Sequence, residues 1–306
     1  MSDDTVPTDA VPPDAVPIDA ALVERLVAEQ FPAWSGLPVT SADPQGWDNR
    51  TFRLGDELSV RLPSAGAYVP GTAKESRVLA WLAPRLDVPV PEVVGVGRPG
   101  SGYPFPWSVR RWIGGTVAAR WEGDRTALAA DVGGTLRQLR AVPTDGRPGL
   151  EPGAHSFQRG APPSAYADEV DEALRTLGDE VDRDACRRVW DAACSTRWEG
   201  PGVWFHGDVA PDNLLVDERG RLSALLDFGT SGVGDPACDV VLAWTFLDAD
   251  ARQVFRQEVG LDDDTWARGR GWSLWKALVM IERNDEPDVR ATWTAVLAAT
   301  LADPVT

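Results

Sequence analysis

The densest chemistry in the sequence is His206-Gly207-Asp208-Val209-Ala210-Pro211-Asp212-Asn213-Leu214-Leu215-Val216, followed fourteen residues after Asn213 by Leu226-Asp227-Phe228-Gly229. Phosphoryl transfer asks for little covalent help from a protein, but it needs a carboxylate near the attacking hydroxyl and hard oxygen ligands that hold magnesium against the phosphates. Asp208, Asn213 and Asp227 can supply all three. Their spacing predicts a hairpin in which Asn213 begins one strand, Asp227 ends the next, and the turn at Glu218-Arg219-Gly220 folds both onto one edge. A hairpin with an aspartate at each end also serves as a turn cap or surface loop, and any one of these residues alone favours that reading. Asp-x4-Asn together with an apolar-flanked Asp-Phe-Gly favours chemistry.

These residues resemble the catalytic loop and Asp-Phe-Gly segment of the eukaryotic-like kinases, in the variant shared by aminoglycoside and macrolide phosphotransferases, where His-Gly-Asp replaces His-Arg-Asp. The resemblance implies that Asp208 orients or deprotonates the acceptor hydroxyl, that Asn213 and Asp227 bind Mg2+, and that His206 is structural. Gly234-Asp235-Pro236-Ala237-Cys238-Asp239-Val240 resembles the family's Gly-Asp-Pro stretch. Asp235 and Asp239 read mainly as structural there, Asp235 as a helix N-cap. The resemblance also implies ATP or GTP as donor and a small-molecule hydroxyl acceptor docked on the helical part, with Asp239, Trp244, Trp275, Glu282 and Asp285 as candidates for that pocket. By spacing alone, Trp244, Trp266, Trp272 and Trp275 suit helix packing better than a binding site.

Upstream, Gly46-Trp47-Asp48-Asn49-Arg50-Thr51-Phe52 stands between candidate strands, where kinases place the loop over the nucleotide phosphates. Asp48-Asn49 is equally good as an ordinary hairpin turn, and the Gly-x-Gly-x-x-Gly of protein kinases is missing here. Trp47, Asp48, Asn49, Arg50 and Thr51 are therefore nucleotide candidates by their place in the order. The strand lysine of the family is also missing: the only lysines are Lys74 and Lys276, and neither ends the second strand. Arg61 does. Its guanidinium can grip phosphate oxygens, with Glu75 on the following helix as its expected partner. Arg110, Arg111 and Trp112 mark the segment whose backbone would meet the nucleotide base, the nucleotide lying between two lobes.

These residues need a scaffold. Strand-like runs at 51–54, 58–62, 91–96 and 107–112 are interrupted by a helix predicted over 72–86, and an amphipathic pattern beginning at Ile18 predicts an earlier helix capped by Asp19. Beyond Gly114-Gly115 the pattern predicts helices at 125–139, 163–177 and 182–194, the strand pair 213–216 and 222–227, then helices from 235 onward. This is an α+β order. With the resemblance it implies a bilobal protein-kinase-like fold: a flexible Pro/Asp-rich tail at 1–18, an N-terminal antiparallel β lobe with one helix at 19–112, a hinge at 109–114, and a larger, mostly helical C-terminal lobe at 113–306.

The net charge of −17, from 47 acidic against 30 basic residues, opposes nucleic-acid binding, which relies on lysine and arginine releasing counterions. A cationic ligand would suit that field, although acidic surfaces more often serve solubility. Three cysteines, Cys186, Cys194 and Cys238, do not make a disulfide framework and read as buried reduced thiols. No apolar run reaches the roughly 18 residues of a membrane helix. The start Met1-Ser2-Asp3-Asp4 lacks signal-peptide features. The expectation is a cytoplasmic protein with no membrane partner. Gly95-Val96-Gly97-Arg98-Pro99-Gly100 matches a dinucleotide fingerprint, but Ser101-Gly102-Tyr103-Pro104 cannot open the helix that motif needs, so it reads as a turn.

Only five residues separate Gly229 from Asp235, too few for the activation segment that positions a peptide, which favours a small-molecule acceptor. Two alternatives stand beside an antibiotic kinase: a kinase of a housekeeping sugar or amino alcohol, and a non-catalytic nucleotide-binding relative.

Overall fold

The computed structural model describes residues 16–303 apart from 44, 47 and 145–148. Most of the expected tail (1–15) and Trp47 thus lie outside the described residues. The rest forms two compact units, one made of 16–115 with 224–229 and the other of 116–223 with 230–303.

The first unit opens with α1 (Ala20–Gln30), whose N-cap is Asp19: its Oδ1 accepts the Leu22 amide at 2.8 Å. Strands β1 (Val39–Ser41), β2 (Asn49–Leu54) and β3 (Leu58–Pro63) follow, then α2 (Val69–Leu82), β4 (Val93–Gly97) and β5 (Trp107–Arg111). The five strands form one antiparallel sheet in the order β1-β2-β3-β5-β4. The helix predicted over 72–86 starts three residues early, because Pro70 in a first turn sacrifices no helix hydrogen bond. It gives way after Leu82 to a single 3-10 turn that contains Pro84. Gly95 and Gly97 lie in β4, and the chain then turns where Gly100 pairs with Tyr103, as the proline-bearing sequence required.

Period-two alternation decides which residues of this sheet share a face. Val60, Leu62, Val109 and Trp107 join Phe52 and the apolar stripe Leu22, Val23, Leu26 and Val27 of α1 in one core. In the β3–β5 register Arg61 stands opposite Ser108 and Ser59 opposite Arg110, so both arginines occupy the other face.

The second unit contains β6 (Thr116–Val117), α3 (Thr126–Ala141), α4 (Ala167–Leu177), α5 (Arg183–Cys194), β7 (Val203–Phe205), β8 (Leu214–Val216), β9 (Leu222–Leu225) and β10 (Gly232–Gly234). It continues with α6 (Leu242–Thr245), α7 (Ala249–Val259), α8 (Asp263–Arg283) and α9 (Pro287–Ala302). β9 starts here, and its last residues pass into the first unit. β6, β8 and β9 form a small sheet, β8 and β9 being the expected strand pair, and β10 pairs with β7; β6, β7 and β10, two or three residues each, are too short for alternation to announce them. The long helix α8 is buried along most of its length, packing Trp272, Trp275 and Leu278 into a core with Val170 and Leu174 of α4 and Val189 and Trp190 of α5. Gly269 allows α8 to lie against the 3-10 stretch Pro236–Val241, where a Cβ would come within 2.1 Å of Val240 and 2.9 Å of the Ala237 carbonyl. Asp235 caps that stretch through the Ala237 amide, as expected. Its carboxylate also pairs with Arg268 of α8 at 2.6 Å in full burial.

All three cysteines are free thiols, but only Cys186 and Cys238 are buried. Cys194 corrects the expectation: it ends α5 and is exposed. Among the described residues no helix is long and apolar enough to cross a membrane.

Candidate active site

The candidate residues divide between the two units. In the second, β7 runs into His206, and the backbone amides of His206 and Gly207 donate to the two oxygens of Asp239 at 2.9 and 2.7 Å. Burial raises the Asp239 carboxyl, opposed by the charge of His206 and by these amide bonds. The arrangement places Asp239 behind the loop, 2% exposed, and so corrects its candidacy as an acceptor contact. Gly207 has φ +86°, and a Cβ there would meet the Thr230 carbonyl and hydroxyl oxygens at 2.9 Å; only glycine fits this turn. Buried His206 receives the Asp208 amide on Nδ1 at 3.2 Å, which fixes the start of the turn from beneath.

Asn213 does not begin a strand, as its spacing suggested. It closes a 3-10 turn, Pro211–Asn213, ahead of β8. From there its Nδ2 donates to the Asp208 carbonyl at 2.9 Å and to Asp208 Oδ2 at 3.0 Å. With its amide donors committed to Asp208, Asn213 keeps Oδ1 as a hard oxygen for a cation.

Asp208 lines a cavity of about 300 Å³ with Arg159, Trp272, Trp275, Lys276 and Trp293 among its walls. Of the expected acceptor residues, Trp275 also lines this cavity, its ring buried and its Nε1 donating to Glu169 at 3.0 Å. Trp244 is not: it is buried against Trp266 and donates to Asp303 at 3.2 Å. Glu282 pairs with Arg283, Asp285 is exposed, and neither lines this cavity. Arg159 and Lys276 were missed. Their one sequence signal is that Trp272 and Lys276, four apart, share a face of α8. Burial lowers the Lys276 ammonium, with the Asp208 charge opposing that shift and the Arg159 charge adding to it. A larger cavity of about 790 Å³ at Cys194–Gly200 contains none of the candidate residues.

In the first unit, Asp227 lies beyond the end of β9 rather than within it, at φ +61°, a left-handed conformation that few non-glycine residues adopt. Its Oδ1 accepts the Gly229 amide at 3.2 Å and its Oδ2 accepts Arg61 Nη2 at 2.8 Å. Arg61 reaches Glu75 only at 3.5 Å. Glu75 belongs instead to Arg110, which donates to both of its oxygens at 3.0 and 2.8 Å. The Phe228 amide adds a third bond at 3.1 Å. Burial alone would raise the Glu75 carboxyl, but the charges of Arg110 and Arg61 and the bonds from Arg110 and Phe228 hold it down at about 2. Burial lowers Lys74, beside it, to about 8 against the pull of Glu75 and Asp227.

The Arg110 side chain is therefore a buried clamp on α2, whereas the expectation for the nucleotide base concerned the backbone of this segment. Arg111 is exposed and pairs with Glu92 at 2.8 Å, while the Trp112 amide donates to the Glu57 carbonyl at 2.8 Å and its ring lies under Arg53. In the candidate phosphate loop, Asn49 is buried and accepts from Thr72 at 3.3 Å, so its side chain ties β2 to α2. The Asp48 carbonyl accepts from Ser64, Arg50 donates to the Gly46 carbonyl, and the Thr51 amide donates to Gln45 Oε1 at 2.9 Å. Arg61 Nε is buried without a hydrogen-bond partner among the described residues, a donor that an oxyanion would satisfy.

A 50-residue stretch is 44% identical to the uncharacterized protein YcbJ of Bacillus subtilis, covering 16% of this chain and 16% of that protein. The chain is 26% identical to an aminoglycoside 3'-phosphotransferase of Streptomyces fradiae over 219 residues, covering 69% of this chain and 72% of the relative. Among solved structures, the GDP and kanamycin complex of APH(2")-IIia superposes with a TM-score of 0.68 at 21% identity, over 92% of this chain and 98% of that one. That superposition shows the kinase-like fold that the resemblance implied. The model of the phosphotransferase enzyme family, APH, matches residues 39–272, a span that runs from β1 into α8 and takes in Arg61, Asp208, Asn213 and Asp227. By that match the chain belongs to the phosphotransferase enzyme family.

Proposed function

We propose that this protein moves the terminal phosphoryl group of ATP or GTP onto a hydroxyl of a small molecule, with Asp208 as the residue that meets the hydroxyl. The observation that carries the reading is the Asp208 carboxylate, held by Asn213 and open to a cavity large enough for a small ligand. Asp208 orients the acceptor oxygen and accepts its proton as the new O–P bond forms. The bond between the terminal phosphorus and its bridging oxygen breaks, its electron pair leaves on the nucleoside diphosphate, and Asp208 passes the proton to solvent.

Asn213 Oδ1 and the part-exposed Asp227 carboxylate suit Mg2+ in donor chemistry. Among the described residues there is no group of three or more His, Cys, Asp or Glu that could hold a metal, so an Mg2+ on these two residues would have to draw the rest of its shell from water and phosphate oxygens. When bound, it would supply charge neutralisation on the phosphates. Arg61, with its unused Nε, holds phosphate oxygens in the role that a lysine fills elsewhere in the family. The names of the relatives make antibiotic hydroxyl compounds the first acceptors to test and drug resistance the role to examine. The free thiols support a reducing, cytoplasmic setting.

The test is nucleoside-diphosphate release with Mg2+ and ATP or GTP across a panel of antibiotic and metabolite alcohols. Acceptor-stimulated release should fall by about 10²–10⁴ in Asp208→Ala. Equal turnover by that variant would remove Asp208 from the chemistry.

A further inference from the structure

The chain carries 47 acidic residues, yet among the described ones only two, Asp208 and Asp212, line the cavity. Asp208 is committed to the hydroxyl and Asp212 is exposed to solvent. The remaining charges there are positive. Arg159 lies over Trp272 and Trp275, 5.1 and 5.0 Å from their ring centroids, and its Nη1 donates to the Phe157 carbonyl at 3.1 Å. The Lys276 ammonium stands 5.7 Å from the centroid of Trp293. Neither cation forms a salt bridge with a described carboxylate. Aromatic faces hold both in place, leaving guanidinium and ammonium donors for a ligand. Two like charges at a partly desolvated wall repel each other; the Asp208 charge offsets this at Lys276, and a ligand anion between the two cations would offset it further. A polycationic acceptor would add to that repulsion.

Resting on the phosphotransferase reading above, we propose that the acceptor is a compact hydroxyl compound bearing a carboxylate. Lys276 and Arg159 bind the carboxylate, the half-buried Trp293 covers an apolar or aromatic body, the buried Trp272 and Trp275 back Arg159 from beneath, and Asp208 receives the hydroxyl. A volume of about 300 Å³ is at the low end for ligand sites and suits a one- or two-ring body.

The test uses one skeleton with three charges, 4-(hydroxymethyl)benzoate, its carboxamide and its benzylamine counterpart, with kanamycin as a polycation. Binding is followed by tryptophan fluorescence with and without Mg-nucleotide, and turnover by diphosphate release. The benzoate should bind about tenfold or more tightly than the other three, the scale of a charge-assisted hydrogen bond. Lys276→Glu should abolish or invert that order, and in turnover it should raise KM for the benzoate more than it lowers kcat. The ranking on the wild-type protein decides the matter even where the variant fails to fold. Binding of the benzylamine or kanamycin as tight as that of the benzoate, or no measurable benzoate binding, would overturn the proposal. The kinase reading is judged apart from this: bound Mg-nucleotide with an amine-preferring cavity overturns the acceptor class alone, whereas a protein that binds no nucleotide overturns the parent reading.

Discussion

Arg110, rather than Arg61, should be the main electrostatic partner of Glu75, and a pair of double-mutant cycles can measure the difference. Glu75 and Arg110 have side chains only 1% and 3% exposed and share two bonds at 2.8 and 3.0 Å. Breaking such a pair strands a buried charge and costs about 3–5 kcal/mol. Arg61 touches Glu75 once, at 3.5 Å, and gives its shorter bond to Asp227, so its coupling to Glu75 should be about 1 kcal/mol. The pH dependence provides a second measure. The Glu75 carboxyl is held at about 2 in the folded protein against an ordinary 4.5, and a lowered carboxyl contributes stability above its unfolded pKa. That contribution, about 3 kcal/mol, is complete above roughly pH 4.5 and is lost as the pH falls toward about 2. Urea unfolding of Glu75→Gln, Arg110→Met, Arg61→Met and the two doubles that contain Glu75→Gln, at pH 7 and at about pH 3, inside the window between the two pKa values, gives both quantities. A Glu75–Arg61 coupling equal to or larger than the Glu75–Arg110 coupling would refute the assignment.

Gly207→Ala combines an unfavourable φ with a Cβ 2.9 Å from the Thr230 carbonyl, so it should lower kcat by at least about 100-fold through displacement of Asp208, while nucleotide affinity by calorimetry stays near that of the wild type. Asp239→Asn removes the charge that anchors two loop amides and should cost about 1–3 kcal/mol in denaturant unfolding together with a drop in kcat; a rise in KM with unchanged stability would instead return Asp239 to the acceptor. Arg268→Met leaves buried Asp235 without its partner and should destabilise the protein by about 3–5 kcal/mol, visible as a lower melting temperature, with no change in nucleotide Kd.

The loop from Asp208 to Asn213 was legible because its contacts are local: only four residues separate the two, so one turn of chain brings the Asn213 amide to the Asp208 carboxylate. The caps at Asp19 and Asp235 were legible for the same reason, each reaching an amide only two or three residues ahead. The runs that became β3 and β5 were legible as strands, and once they are paired, alternation decides which residues share a face, since side chains in a strand point to opposite sides in turn. Strand ends were less legible. Asn213 and Asp227 were assigned to strands because apolar neighbours continue the pattern, whereas a 3-10 turn and a left-handed residue end the ladder first.

What the sequence by itself determined was therefore the family, the order of elements and the identity of the groups that can do chemistry. Tertiary structure decided their partners. Arg61 and Arg110 lie 14 and 35 residues from Glu75 and share one sheet face; only the β3–β5 register and the placement of α2 award the bidentate bond to Arg110. The cavity likewise gathers Arg159, Asp208, Trp272, Lys276 and Trp293 from four distant stretches, giving a cationic wall in a chain of net charge −17. Charge interactions in a poorly screened interior depend on separations of a few ångströms, and residue order sets such separations only for near neighbours.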